Sequence, residues 1–312
     1  MNIILRAVLL AAILWLSAQP ALALDETLIS YAGPSITFLP AEVARQRGFF
    51  REQNLDVKLL LTRTEVDRAA LASGNISYSL RAGSTFVSAA RGLPVRIVFL
   101  GTTRPFWGLV VRPEIKSVNE LKGKSMAVPG LLGSQQISAK FILKQNGLDP
   151  DRDIIYRIVD TGTRIGAMLS GSVDSAMMDY GEAFRAKKVG LKMLINAADV
   201  HGQLAGGLGV NITTLRDQPD QVRRVIRALL QAHRYLRENP EGTQQVMMNW
   251  LKIDREMAAD IYHMAINNYT RNGMVEEAML NSLVTAMLAD AGIKGVTPTQ
   301  LTDFTLLQQA LK

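Results

Sequence analysis

The sequence contains no cysteine. That excludes disulfides, thiolate nucleophiles and most structural zinc sites, and it leaves no thiol to carry a lipid. Histidine is scarce. His201, His233 and His263 are the only three, and none pairs at i, i+4 in H-E-x-x-H fashion. His233 and His263 fall in helical patterns, which suits packing or surface roles. Nucleophile-elbow and phosphate-loop motifs are missing, as are zinc-finger spacing and an RNP-type aromatic motif. Beyond the first 23 residues no run is long and apolar enough to cross a bilayer.

What is present is an ordinary globular composition, with 48% apolar and 20% charged residues in 312. That is enough chain for one large domain or two ordinary ones. The net charge of +7 allows DNA, an anionic surface or an acidic small molecule as partner. The basic residues are scattered rather than blocked, which argues against nucleic acid. The segment 1–23 has a charge at Arg6, an apolar run from Ala7 to Leu16, then Pro20 and Ala21-Leu22-Ala23. It reads as a secretory signal cleaved after Ala23. The expected mature protein is soluble, unanchored and periplasmic.

Strand and helix signals alternate from residue 27 to about 200, which predicts an α/β architecture with largely parallel sheet. "TLISYAG", "LDVKLLL", "NISYSL" and "VRIVFL" read as strands, with "LPAEVARQRG" and "EVDRAALASG" as helices closed by Gly48 and Gly74. A second series follows "WGLVVRPE": strand "KSMAVPG", helix "SQQISAKFILKQNG", strand "IIYRIVD", helix "TRIGAMLSG" and strand "DSAMMDY". From Pro219 the pattern is almost wholly helical. A weak repeat links the two series: "ALASGNISYSL" (70–80) matches "AMLSGSVDSAM" (167–177). The repeat predicts two lobes of one βαβ design, with equivalent turns "RAGST" and "MDYGE" facing a shared cleft beyond the strand ends.

Six stretches occur in order: "GFFREQNLDVKLL", "ALASGNISYSL", "ARGLPVRIV", "SVNELKGKSMAVPG", "LKQNGLDPDRDI" and "AMLSGSVDSAM". From about Tyr31 to Asn211 the chain resembles the periplasmic solute-binding proteins of ABC importers, in the nitrate/sulfonate/taurine group. The nearest likeness is to the branch that shares a domain with eukaryotic thiamine-pyrimidine synthases. The resemblance implies a two-lobed periplasmic binding protein of type II, each lobe a mostly parallel sheet flanked by helices, with a helical C-terminal tail. It implies lobe one from 24–110 plus 205–312, lobe two from 111–204, and crossings near Val110-Val111 and Ala205-Gly206-Gly207.

Four turns are then expected to converge on a ligand. In "GPSITF" (33–38), Ser35 and Thr37 offer hydroxyls and Phe38 an apolar wall; helix capping explains the same residues. In "RAGST", Ser84 or Thr85 suits an N-cap, and Arg81 suits either an oxyanion or an ion pair with Asp179 or another acid. In "PGLLGSQQ" (129–136), Gly133 permits close backbone approach, and Ser134 and Gln135 supply donors at a helix start that touches ligand in similar proteins. In "MDYGEAF" (178–184), many relatives carry Glu-Pro where this chain has Tyr180-Gly181, which leaves Asp179 and Tyr180 as substitutes. Arg104, Phe106 and Trp107 of "TTRPFWG", and Thr161 and Thr163 of "DTGTR", are further candidates.

The function implied is capture of a small anionic organic solute and delivery to a membrane permease and its ATPase. The protein would act as a monomer, with no nucleic acid, cofactor or metal and no catalysis. Two rivals share the fold: a periplasmic sensor subunit and a thiamine-pyrimidine-synthase-like enzyme. The synthases use histidine, iron and a cysteine-rich motif, and this chain has no cysteine.

Overall fold

The computed structural model describes residues 24–312; the expected export signal lies outside the described residues. Among the described residues ten strands form two five-stranded sheets. The first has the order β2-β1-β3-β10-β4, from Leu55–Leu61, Asp25–Tyr31, Tyr78–Ser79, Gly207–Asn211 and Val95–Leu100. The second has the order β7-β6-β8-β5-β9, from Ile154–Ile158, Lys124–Val128, Ser175–Asp179, Trp107–Val111 and Lys192–Asn196. The central strands β5 and β8 are buried along their whole length, as in sheets covered on both faces.

Each sheet carries the same plan. In the first, β2, β1 and β3 run parallel and β10 runs against them. In the second, β7, β6 and β8 run parallel and β5 runs against them. The 70–80 and 167–177 repeat segments each deliver the third strand of their unit, β3 and β8. Each passes through a glycine at positive φ, Gly74 at +79° and Gly171 at +78°, a backbone region that L side chains rarely adopt.

The two antiparallel strands have a common cause. β4 and β9 both finish at the carboxyl edge of their sheets, and the chain crosses from there to the other sheet. The receiving strand therefore starts at the carboxyl edge and runs backwards. This corrects the expected first crossing. Val110 and Val111 already belong to β5, paired with Ala176 and Ser175, and the passage lies at 101–106. The return passage runs from 197 to 206, and Gly207 opens β10.

The helices that matter for the cleft are α1 (Leu39–Gln46), α2 (Thr64–Ser73), α3 (Ala82–Ala90), α4 (Ser134–Gln145), α5 (Arg164–Leu169) and α6 (Tyr180–Lys188). Each follows the carboxyl end of a parallel strand. The C-terminal part begins with α7 (Pro219–Glu238), whose first residue is a proline, where the missing N–H costs nothing. Its stripe of Val222, Val225, Ile226, Leu229, Ala232 and Leu236 is buried with Ile29, Leu39 and Val43 of the first sheet and α1. The tail thus completes the core of the first unit. Each large aliphatic side chain in it contributes about 1.5–3 kcal/mol by burial. No helix among the described residues is long and apolar enough to cross a membrane.

His233 lies inside this core, against Phe99 and Tyr269, with Nδ1 within 2.9 Å of the Thr270 carbonyl oxygen. Burial pushes its pKa down from 6.5 to about 4. The unfolded chain therefore binds this proton first. The stability tied to a neutral His233 is full above pH 6.5 and drains away as pH falls towards 4, by about 3 kcal/mol in all. Buried carboxyls with raised values act in the opposite sense, so the effect is read as a difference between proteins. Urea titrations should show the wild type losing that much more stability than His233→Gln across this window. Parallel pH profiles would contradict it.

Candidate ligand cleft

The carboxyl edges of the two sheets face each other across a cavity of about 60 Å³. That is room for about four to six waters, so a small solute fits as drawn and a large one needs the sheets further apart. The first unit supplies Ala32, Gly33, Ser35, Thr37 and Phe38 after β1, Thr64 after β2, and Arg81 and Ser84 after β3. Its partner supplies Pro129, Gly133, Ser134 and Gln135 after β6, Thr161 after β7 and Asp179 at the end of β8. Trp107 and Ala205 close the side formed by the two passages.

Arg81 is held by its own unit. Nη1 donates to Thr64 Oγ1 at 3.1 Å, and Nη2 donates to the carbonyl oxygens of Tyr31, at 3.4 Å, and Thr62. Its counter-ion is Asp67 of α2, with Nε 3.9 Å from Oδ1, too far for a hydrogen bond. Asp67 is instead satisfied by the hydroxyls of Ser30 and Ser79. Burial lowers the pKa of Arg81 and raises that of Asp67, so each charge is held at a desolvation cost. Three of the five guanidinium N–H groups are engaged, leaving Nε–H turned towards Asp67 and one N–H on Nη1 free.

The second unit carries the same device with its charges exchanged. Here the arginine is on the helix after the second strand and the acid on the helix after the third. Arg164 at the start of α5 forks onto Glu182 of α6, at 3.2 and 2.6 Å, with both side chains fully buried. Nη1 also donates to the Met177 carbonyl oxygen and to Gln135 Oε1, the latter at 2.6 Å, and Nη2 donates to Thr161 Oγ1 at 3.1 Å. Arg164 therefore positions two cavity side chains. Because Gln135 spends its oxygen on Arg164, its amide N–H groups remain for the cavity.

Asp179 caps α6 by accepting from the Glu182 N–H at 3.0 Å. Burial raises its pKa, opposed by that N–H, by Arg164 and Arg185, and by the Ser35 hydroxyl on the facing wall. The charged groups on and behind the cavity wall are thus Arg81, Arg164 and Arg185 against Asp67, Asp179 and Glu182. The basic excess of the chain is not at the cleft. The wall is nonetheless rich in donors without partners. Trp107 Nε1 and Thr37 Oγ1 are buried and make no hydrogen bond among the described residues.

Not all of the expected residues reach the cavity. Thr85 turns back, donating to the Arg81 carbonyl oxygen at 2.9 Å. Ser84 donates to the same oxygen, so neither hydroxyl caps α3, whose N-cap position is Arg81. Likewise the residue capping α4 is Gly133, not Ser134. Arg104 is exposed and holds the Ala198 carbonyl oxygen at 2.5 Å. Phe106 is buried against Tyr269 and Tyr180, because its position just before β5 points into the first unit's core. The Tyr180 hydroxyl donates to Asn196 Oδ1 at 2.7 Å, and Thr163 Oγ1 donates to the Asp160 carbonyl oxygen at 2.8 Å. Sequence reasoning missed Ala32, Thr64 and Ala205 as lining residues. Thr64 opens the helix after β2, and the rule that picked Thr161 in the second unit would have found it.

The two units touch at the cavity rim and also behind it, where Arg185 donates to the Leu251 carbonyl oxygen at 3.0 Å and Lys188 pairs with Asp254 at 2.6 Å. Arg63 and Asp160, both exposed, pair across the mouth at 2.9 Å, and Arg68 donates to the Leu131 carbonyl oxygen at 3.3 Å. Gly83 faces the Ser134 hydroxyl with no room for a Cβ, and a Cβ on Gly130 would lie 2.6 Å from Thr64 Oγ1 and 2.8 Å from its Cβ. Neither glycine has a positive φ, so an alanine is barred by the opposite wall and not by its own backbone. Gly130→Ala should hold the walls apart and weaken ligand binding about 10-fold, a cost of about 1.4 kcal/mol, with folding stability unchanged. Calorimetric titration checks this, and undiminished affinity would show that these walls do not meet in the bound state.

A sequence profile described as "NMT1/THI5 like" matches residues 35–243. The riboflavin-binding protein RibY of Chloroflexus aurantiacus is 25% identical over 244 residues, 75% of this chain and 68% of that protein. A 4-amino-5-hydroxymethyl-2-methylpyrimidine phosphate synthase of Saccharomyces cerevisiae, THI13, is 28% identical over 150 residues, 46% of this chain and 43% of the enzyme. Among solved structures, the alkanesulfonate-binding protein SsuA of Xanthomonas axonopodis pv. citri, with MOPS bound, matches at a TM-score of 0.69 and 16% identity. That match covers 92% of this chain and 97% of SsuA. The two-sheet architecture is thus that of the two-lobed periplasmic binding proteins.

Proposed function

The chain belongs to the NMT1/THI5-like family, and we propose that it is the periplasmic solute-binding component of an ABC importer. It captures a small organic solute bearing a sulfonate or carboxylate between its lobes and delivers it to a permease. It makes and breaks no bond. The observation that carries this reading is the donor-rich wall with buried groups left over, Trp107 Nε1 above all. An indole N–H can only donate, and leaving it unpaired in a buried site is costly, so the missing partner is an acceptor. Arg81, Gln135 and Ser134, the first residue of α4, line the same cavity and are chemically suited to an oxyanion. Closure follows because ligand contacts both walls only when they meet.

Asp179 favours a second, narrower reading within the first. An acid on the wall opposite Arg81 suits a solute with an ammonium or N–H group at its other end, such as an amino acid or aminosulfonate. Riboflavin and an unmodified pyrimidine carry no oxyanion to meet a guanidinium. A thermal-shift screen of alkanesulfonates, carboxylates, amino acids, taurine, pyrimidines and riboflavin tests the reading. A true ligand at a hundredfold excess over its Kd stabilises by about 2.7 kcal/mol. Stabilisation by riboflavin or a pyrimidine, with no response to any acid, would overturn the anionic class.

A further inference from the structure

A second cavity lies far from the cleft in the chain's fold, on the outer face of α7. It is a groove of about 500 Å³ lined by Arg227, Arg234, Arg237 and Arg271, with Leu230 and Leu311 at its edges. The helical spacing explains the cluster. Positions 227, 230, 234 and 237 fall on one face of α7, opposite the stripe that enters the core. Arg271 reaches the same groove from the segment after Tyr269. Among the described residues, Arg227, Arg234 and Arg271 make no hydrogen bond or ion pair, although most arginines on this surface do. The single acid on the wall, Glu238, is exposed.

Arg237 is the fixed part of the groove. It is only partly exposed, and it donates to the carbonyl oxygens of His233 at 2.9 Å, Tyr269 at 2.7 Å and Thr270 at 3.1 Å. Burial and the neighbouring Arg271 lower its pKa, and among the described residues no acid forms an ion pair with it. Four guanidinium forks around one space, three of them unspent, match the several oxygens of a phosphate better than a single carboxylate.

We propose that this groove is an anion site, separate from the cleft, that takes a phosphate group, either free or on a lipid headgroup. The exposed leucine beside it, Leu311, is compatible with either source. With four arginines and one glutamate on its wall, the groove holds part of the chain's basic excess, which the cleft does not.

The test uses the full folded protein and three forms: wild type, Arg227→Ala/Arg234→Ala, and Arg51→Ala/Arg91→Ala. The last removes the same charge from exposed arginines outside the groove. Each is titrated with inorganic pyrophosphate and floated with phosphatidylglycerol or pure phosphatidylcholine vesicles at about 0.15 M salt. The groove variant should lose about 10-fold or more in affinity for pyrophosphate, for phosphatidylglycerol vesicles or for both, and the control about 2-fold or less. Loss with pyrophosphate assigns a free anion, and loss with vesicles alone assigns the headgroup. Equal loss in both variants would reduce the effect to net charge and overturn the site. So would failure of the wild type to bind either probe. Because the variants leave the cleft untouched, cleft ligand binding in the same proteins stays as a separate control.

Discussion

Arg164→Met should destabilise the protein by about 3–5 kcal/mol, because it strands Glu182 as an uncompensated buried charge. The pair is the most enclosed in the described structure, with neither side chain exposed. Adding Glu182→Leu to the same protein should recover most of the loss, since a buried ion pair and an apolar pair of similar volume are often near equal in stability. Urea denaturation at neutral pH reads both values. A single-variant cost below about 1 kcal/mol would show that water reaches Glu182 and that the pair is not sealed. The double variant has a second use. It frees Gln135 and Thr161 from Arg164, so restored stability with weakened ligand binding would separate the positioning role from the structural one.

Arg81→Lys should weaken an anionic solute by about 10- to 100-fold while changing a neutral solute little. Lysine keeps the charge opposite Asp67 but cannot reproduce the fork that binds Thr64, Tyr31 and Thr62 and that, on the proposed reading, also meets the solute. Titration calorimetry with a sulfonate and a neutral ligand found in the same screen decides it. Equal losses for both would assign Arg81 to holding the first unit together, with no contact to the solute. Asp179→Asn complements it: tighter binding marks a simple anion, and weaker binding marks a solute with an ammonium end.

Much of this cleft was legible beforehand. Ser35, Arg81, Ser134 and Asp179 stand at strand ends, and parallel units put strand ends on one edge. The repeat around Gly74 and Gly171 announced that the edge exists twice. Other parts had no local signal. Asp67 reads as one polar position on an amphipathic helix, and nothing nearby in sequence says that it faces Arg81 rather than water. Phe106 and Tyr180 looked like cleft aromatics because they flank the right turns. Their side chains go the other way, since the pleat and the cap at Asp179 send alternate residues to opposite sides.

The alternation of elements, the two-unit plan and the edge on which the site lies followed from hydrophobic period, glycine placement and chain order, all of which act over a few residues. Only the tertiary structure decided the crossing at 101–106, the reversed direction of β5 and β10, and the partners Asp67 for Arg81 and Glu182 for Arg164. Those depend on which groups are brought together from distant parts of the chain and shut away from water, where a charge must find its opposite or forgo its hydration.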